Sequence, residues 1–259
     1  MKSLLIALLA LGIAGCSNTS NNTNSQVEDK KTTAYVDTLL YVSNLIVDSV
    51  PFIKLQMNPE NAYVSMADSV MPSESDSTIA LCVEAAFTGE LLKNFTTINI
   101  AGDYVIDGNF RKGYKCKANT GFLYADRNVV TISSSDHCAE WIGKAKVNSG
   151  TLFQQMLLVQ NGKNVYRGRP IKPVSRNIYR AACILNNGEF AVIQSEKQIP
   201  LNDFINNLVA LGVTDALYLD VGTGWNYGWY RTNSNSTPVK LFNARSPYQT
   251  NWLIIRARK

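Results

Sequence analysis

Residues 217–230, LYLDVGTGWNYGWY, decide how this chain is read. An apolar run, Leu217–Leu219, delivers one carboxylate, Asp220. Glycines at 222, 224 and 228 follow, interleaved with Trp225, Tyr227, Trp229 and Tyr230. The pattern suits a buried strand that ends in a loop. Loops at strand ends carry function because a rigid sheet positions them while they stay open to solvent. Glycine there permits positive φ and close approach of backbone to a ligand. The same pattern also suits an aspartate that hydrogen-bonds its own turn. Trp225, Tyr227 and Trp229 alternate at strand period and share one face, which is either a sugar platform or core.

Just upstream, PLNDFINNLVALG (200–212) places Leu201, Phe204, Ile205, Leu208 and Leu211 on one helical face. Pro200 suits the start and Gly212 the stop. AACILNNGEFAVIQ (181–194) predicts a hairpin turning at Asn186-Asn187-Gly188. Further strand signals lie near 38–43 and 45–56, where Pro51 suggests an edge or a bulge, and at 79–87, 96–110 and 119–133. Asp107-Gly108 and Asp126-Arg127-Asn128 read as turns, and residues 61–78 as polar and turn-rich. A weaker helix is predicted over 136–145, and STPVKLF and NWLIIRAR supply closing strands. The order is mostly strands with one late strand–helix–strand unit. It predicts an α+β fold: a mixed, mostly antiparallel twisted sheet core with few helices.

The N-terminus reads MKSLLIALLALGIAGCSNTS. Its apolar run is too short to span a membrane but right for the core of a signal peptide. The run ends in Ile13-Ala14-Gly15-Cys16, which resembles the lipobox of bacterial lipoproteins. That resemblance implies a signal peptide over 1–15 and a lipid on Cys16, anchoring the protein to the bacterial cell envelope. Ser17 rather than Asp after the cysteine points to the outer membrane. Residues 17–33 hold one apolar residue, Val27, too little to offset ordering entropy. Residues 16–33 therefore read as a flexible tether and 34–259 as one domain.

Net charge is +5. Loss of Lys2 with the signal leaves 24 basic against 20 acidic residues, or +4, a surplus that does not imply a nucleic-acid partner. Cys82, Cys116, Cys138 and Cys183 allow three complete pairings, and the sequence does not choose among them. No two cysteines have C-x-x-C spacing and His137 is the only histidine, which argues against a zinc site. Neither a cofactor nor a metal requirement is named by the sequence. His137 and Cys138 adjoin, yet neighbours in a strand or helix point different ways, so a structural reading is preferred to a nucleophile–base pair.

The run from SRNIYRAACI to LGVTDALYLDVGTG resembles the phosphodiester glycosidase domain, the family that includes the mannose 6-phosphate uncovering enzyme. Arg180, the hairpin with Asn187-Gly188, the helix from Leu201, and Asp215-Ala216-Leu217-Tyr218-Leu219-Asp220 follow the order of its pieces. LCVEAAF (81–87), KANTGFLYADRNVV (117–130) and FQQMLLVQNGKNV (153–165) resemble upstream strands, so the likeness covers roughly 80–259. Glu84 stands where the family has asparagine. Val221 replaces the first glycine of D-G-G-x-S-S, and Gly224 and Trp225 replace its serine pair. The resemblance implies hydrolysis of a glycosyl phosphodiester or related envelope glycan linkage, with a glycan or sugar-phosphate ligand. In this reading Asp220 serves as the carboxylate near the anomeric carbon, Arg180 as the phosphate clamp, and Glu84 as a second carboxylate. Gly222, Thr223, Gly224 and Trp225 would line the substrate loop. Arg180 also suits an ion pair, and Glu84, flanked by apolar residues, needs a partner such as Arg180 or Lys93. The rival reading is a non-catalytic glycan-binding or structural envelope lipoprotein that keeps the fold.

The lipobox reading has a direct consequence. Cys16→Ser should leave the precursor uncleaved and weaken membrane association. Intact-mass spectrometry of the mature wild-type protein should find a lipidated N-terminal cysteine, and an unmodified N-terminus rejects the assignment.

Overall fold

A computed structural model describes residues 37–88, 100–114, 120–167, 176–222, 226–242 and 249–258. The expected signal peptide, Cys16, the tether, Lys93 and Cys116 lie outside these. In chain order the strands are β1 (Leu40–Val47), β2 (Val50–Met57), β3 (Ala62–Asp68), β4 (Ile79–Glu84), β5 (Tyr104–Ile106), β6 (Asn109–Arg111), β7 (Thr120–Ala125) and β8 (Val130–Ser134). A helix, α1 (Cys138–Val147), leads to β9 (Thr151–Gln160), β10 (Lys163–Asn164), β11 (Arg176–Asn177), β12 (Arg180–Leu185), β13 (Phe190–Ser195) and β14 (Ile199–Pro200). Then come α2 (Leu201–Ala210), β15 (Val213–Leu219), β16 (Gly228–Tyr230), β17 (Val239–Phe242) and β18 (Asn251–Ala257). The α+β expectation holds: strands dominate and every pairing between these strands is antiparallel.

Two sheets carry the domain. The larger runs β1-β2-β13-β12-β15-β9-β5-β6, with β7, β8 and β10 joined beside β9, and the smaller runs β17-β16-β4-β18-β3. Side-chain alternation sorts the layers. On β12, Ala182 joins Leu81, Val83 and Leu253 of the smaller sheet in a core between the sheets. Ala181 and Cys183, one residue out of phase, join Leu201, Phe204, Ile205 and Leu208 of α2 in a second core on the opposite face. The late unit is therefore strand, helix, strand: β13 and β15 flank β12 and α2 covers them. Gly212, at φ +80°, ends the helix in the left-handed conformation.

Several expectations shift. Residues 61–78 are not all turn, because Ala62–Asp68 forms β3, paired with β18 along its whole length. Val64 and Met66 face the core, with Ser65 between them and Asp68 closing the strand, which disguises the alternation. Pro51 lies neither on an edge nor in a bulge: β2 runs between β1 and β13, and Pro51 is its second residue, just before the first residue that pairs with β13. The first two strands meet at Asp48-Ser49, both at positive φ, rather than near residue 44. The 96–110 strand is described only from Ile100 and is broken into β5 and β6 by Asp107-Gly108, again both at positive φ. None of the three complete cysteine pairings forms, since Cys183 is a buried free thiol. His137 is exposed while Cys138 is buried at the start of α1. Among the described residues no helix is long and apolar enough to cross a membrane.

The helix-side core predicts a large local cost. Phe204 is fully buried, with its ring 6.2 Å from that of Phe52 and 5.6 Å from that of Tyr179. Phe204→Ala should destabilise the domain by about 3–5 kcal/mol in urea unfolding, and a loss under about 1 kcal/mol contradicts this packing.

Candidate functional site

The ends of three strands meet where the sheets join. Glu84 is the last residue of β4, Arg180 the first of β12, and Asp220 directly follows β15. Antiparallel register sets Arg180 opposite Leu219, one residue from Asp220. The Asp220 backbone N–H donates to Ala85 O at 3.0 Å, which ties the end of β15 to the residue after Glu84. Thus 136 residues of sequence separation close into one polar cluster at the seam between the sheets. Gly222 is part of it, while Thr223, Gly224 and Trp225 lie outside the described residues.

Arg180 is wholly buried. Its Nε and Nη2 fork onto Gln194 Oε1 at 2.8 and 2.6 Å, across the β12–β13 pairing that sets the two residues opposite each other. Among the described residues its Nη1 has no hydrogen-bond partner. A phosphate clamp has to be reachable by its ligand. This guanidinium instead lies beneath the surface, within electrostatic reach of Glu84 and Asp220. Burial lowers its pKa to about 10, opposed by those carboxyls and Tyr218, so it remains a cation at neutral pH.

The two carboxyl groups differ in state. Glu84, only 1% exposed, is pushed up to about 9, chiefly by burial and next by the charge of Asp220, against the pull of Arg180 and of hydrogen bonds from Asn226 and Gln249. It is a neutral acid at pH 7. Asp220 is partly exposed and raised to about 6, again chiefly by burial, held back by the Gly222 and Val221 backbone N–H groups and by Arg180. It is ionised at pH 7. Neighbouring carboxyls with separated pKa values are the arrangement that assigns acid and base roles.

The turn after Asp220 is fixed by two contacts. Gly222 N–H donates to Asp220 Oδ1 at 2.8 Å. Gly222 also sits at φ +55°, and a Cβ there would come within 2.6 Å of Asn226 Oδ1 and 2.8 Å of Asn226 Nδ2. Asn226 Nδ2 in turn donates to Glu84 Oε2. Val221 turns its side chain into the helix-side core and is fully buried.

Asn226 is the site residue that sequence reasoning missed. Its one signal was a polar residue inside the aromatic run Trp225–Tyr230. Asn251 was missed too: its side chain donates to Ala86 O and accepts from Ala86 N–H, at 2.9 and 2.8 Å, bracing the segment after Glu84. Among the described residues no group of three or more His, Cys, Asp or Glu side chains is placed to hold a metal ion.

No protein-family model matches the sequence, and no curated protein does. Solved structures do match in fold. The catalytic domain of zebrafish N-acetylglucosamine-1-phosphodiester alpha-N-acetylglucosaminidase, auto-inhibited by its pro-peptide, aligns with a TM-score of 0.55 at 13% identity, over 85% of this chain and 82% of that one. A hypothetical protein from Synechocystis aligns at 0.49 and 12% identity, over 85% of this chain and 62% of that one. The chain thus has the fold of the zebrafish phosphodiester glycosidase domain.

Proposed function

We propose that this protein hydrolyses a glycosyl phosphodiester or a related envelope glycan linkage, held at the bacterial outer membrane by a lipid on Cys16. The observation that carries the reading is one partly exposed, ionised carboxylate, Asp220, set beside a neutral Glu84 and over a buried Arg180. The fold shared with the zebrafish phosphodiester glycosidase domain supports it.

The chemistry follows from charge. Cleavage at the glycosidic side builds oxocarbenium character on the sugar, which the Asp220 carboxylate stabilises while water adds to the anomeric carbon and its proton passes to the departing phosphate. The departing phosphate monoester is already a good leaving group and needs little acid assistance. Arg180 works from beneath: it keeps Asp220 ionised and adds a fixed positive potential where the phosphate gathers negative charge. Glu84, kept neutral, adds no second negative charge to repel that phosphate.

One observation favours the rival reading of a glycan-binding module. Arg180 has no exposed surface, so its free Nη1 is not open to a substrate from bulk solvent. Activity decides between the two.

Asp220→Asn should abolish hydrolysis of glycosyl phosphodiesters with little change in Tm, because the amide keeps the shape and loses the charge. Wild-type protein inert on a panel of such diesters rejects the hydrolase reading. Its kcat/KM should rise through about pH 6 as Asp220 ionises and fall through about pH 9 as Glu84 ionises. Stability runs the other way from ordinary carboxylates. Both folded pKa values are raised, so their contribution is full below about pH 4 and is lost as pH climbs through about 6 and then about 9. Thermal melts should therefore show Tm declining between pH 5 and pH 9 and declining less in Glu84→Gln.

A further inference from the structure

We propose that the aromatic layer on the outer face of the smaller sheet, built around Trp229 and Trp252, is a saccharide subsite continuous with Glu84 and closed by the segment 69–78. The proposal deepens the hydrolase reading, on which it rests for the position of the reacting bond. Its test needs no turnover.

Three buried donors carry the inference. Among the described residues Trp229 Nε1, Trp252 Nε1 and Arg231 Nε have no hydrogen-bond partner, and their residues are 0%, 3% and 5% exposed. Indole N–H is a donor only. Orphaned buried donors are costly and uncommon, and three in one cluster ask for a reason. They share a face. Register sets Trp229 opposite Cys82 and Trp252 opposite Glu84 on β4, and Cys82 and Glu84 project from the same side of that strand. The two indoles pack in one cluster with Tyr227 and Ile254, and the Arg231 guanidinium lies 5.4 Å from the Trp229 ring. The layer therefore begins where the carboxyl cluster ends.

Flat apolar rings edged with unpaired N–H donors match a saccharide, whose C–H faces stack on aromatic rings and whose oxygens accept hydrogen bonds. The segment 69–78 closes the layer. Met71 packs against it, Arg231 Nη2 donates to Glu74 O, and Arg256 Nη1 meets Asp76 Oδ2 at 3.5 Å, with both side chains about one-third exposed. Val70, by contrast, is 77% exposed. The ends of the segment are tied, Ser69 N–H to Thr250 O at 3.0 Å and Ala257 N–H to Thr78 O at 2.7 Å, with Arg256 Nη1 donating to Thr78 Oγ1 at 2.9 Å, so the stretch that would lift is the one around Met71, and a ligand that binds the lifted state shifts the population towards it.

The experiment uses the full mature chain carrying Asp220→Asn, so that nothing is turned over. Intrinsic tryptophan fluorescence and calorimetry are followed with N,N′-diacetylchitobiose, which offers amide carbonyls and hydroxyls, and with cellobiose, which offers hydroxyls alone. The expected result is saturable binding of at least one sugar with a fluorescence change. Trp252→Phe keeps a ring but removes the donor and should weaken binding about three- to tenfold. Met71→Ala loosens the strap and should tighten it about threefold or more. No saturable binding, or binding that both substitutions leave unchanged, overturns the subsite. Should Trp252→Phe fail to fold, Trp229→Phe and Met71→Ala decide by the same criteria. Binding by a chain whose wild type hydrolyses nothing supports the subsite and removes the hydrolase. Hydrolysis without binding overturns the subsite alone.

Discussion

A guanidinium with no exposed surface sets the terms for the rest of the site. Arg180 cannot shed its proton at neutral pH even with its pKa lowered to about 10, and an uncompensated buried charge is among the costliest features a fold can carry. The surroundings answer in two ways. Gln194 takes two of its N–H groups on one oxygen, and Asp220 supplies one negative charge nearby. One cation needs one anion. Glu84, drier than Asp220, keeps its proton. Had both carboxyls ionised, the seam between the sheets would hold excess negative charge where water cannot screen it.

The remaining partners are amides for the same reason. Gln194 holds Arg180, Asn226 and Gln249 hold Glu84, and Asn251 braces Ala86. Carboxamides provide donors and acceptors without adding charge to a cluster already in balance. The backbone makes this possible. β12 lies between β13 and β15 with cores on both faces, so a side chain at position 180 has nowhere to go but the seam. The Asp220–Ala85 backbone bond then fixes how far apart the two carboxyl-bearing strand ends stand.

Local signals were legible in the sequence and non-local ones were not. The Asn186–Gly188 hairpin, α2 and the buried β15 follow from turn residues and periodicity that a short window contains. β3 was hidden because Ser65 and Asp68 look like turn residues until β18, nearly 190 positions away, pairs with them. The grouping of Glu84, Arg180 and Asp220 was legible from the order of family-like pieces. The burial of Arg180 was not, since nothing in the local sequence says that the first residue of β12 points into the seam. Asn226 was invisible for a related reason: its role depends on contact with Glu84, 142 residues earlier.

Direction of side chains also sets what positions 221 and 222 can hold. Val221 adds bulk at the start of the turn after Asp220. Its side chain fills the helix-side core, so the added bulk enters packing and leaves the carboxyl side of the turn clear. At Gly222, by contrast, a Cβ would collide with the Asn226 amide that holds Glu84. A methyl group at 222 would displace that amide, and the neutral Glu84 carboxyl would lose one of its two amide partners, keeping Gln249. The two positions adjoin in sequence but face different layers, and only the one that faces the charge cluster is bound to keep its glycine.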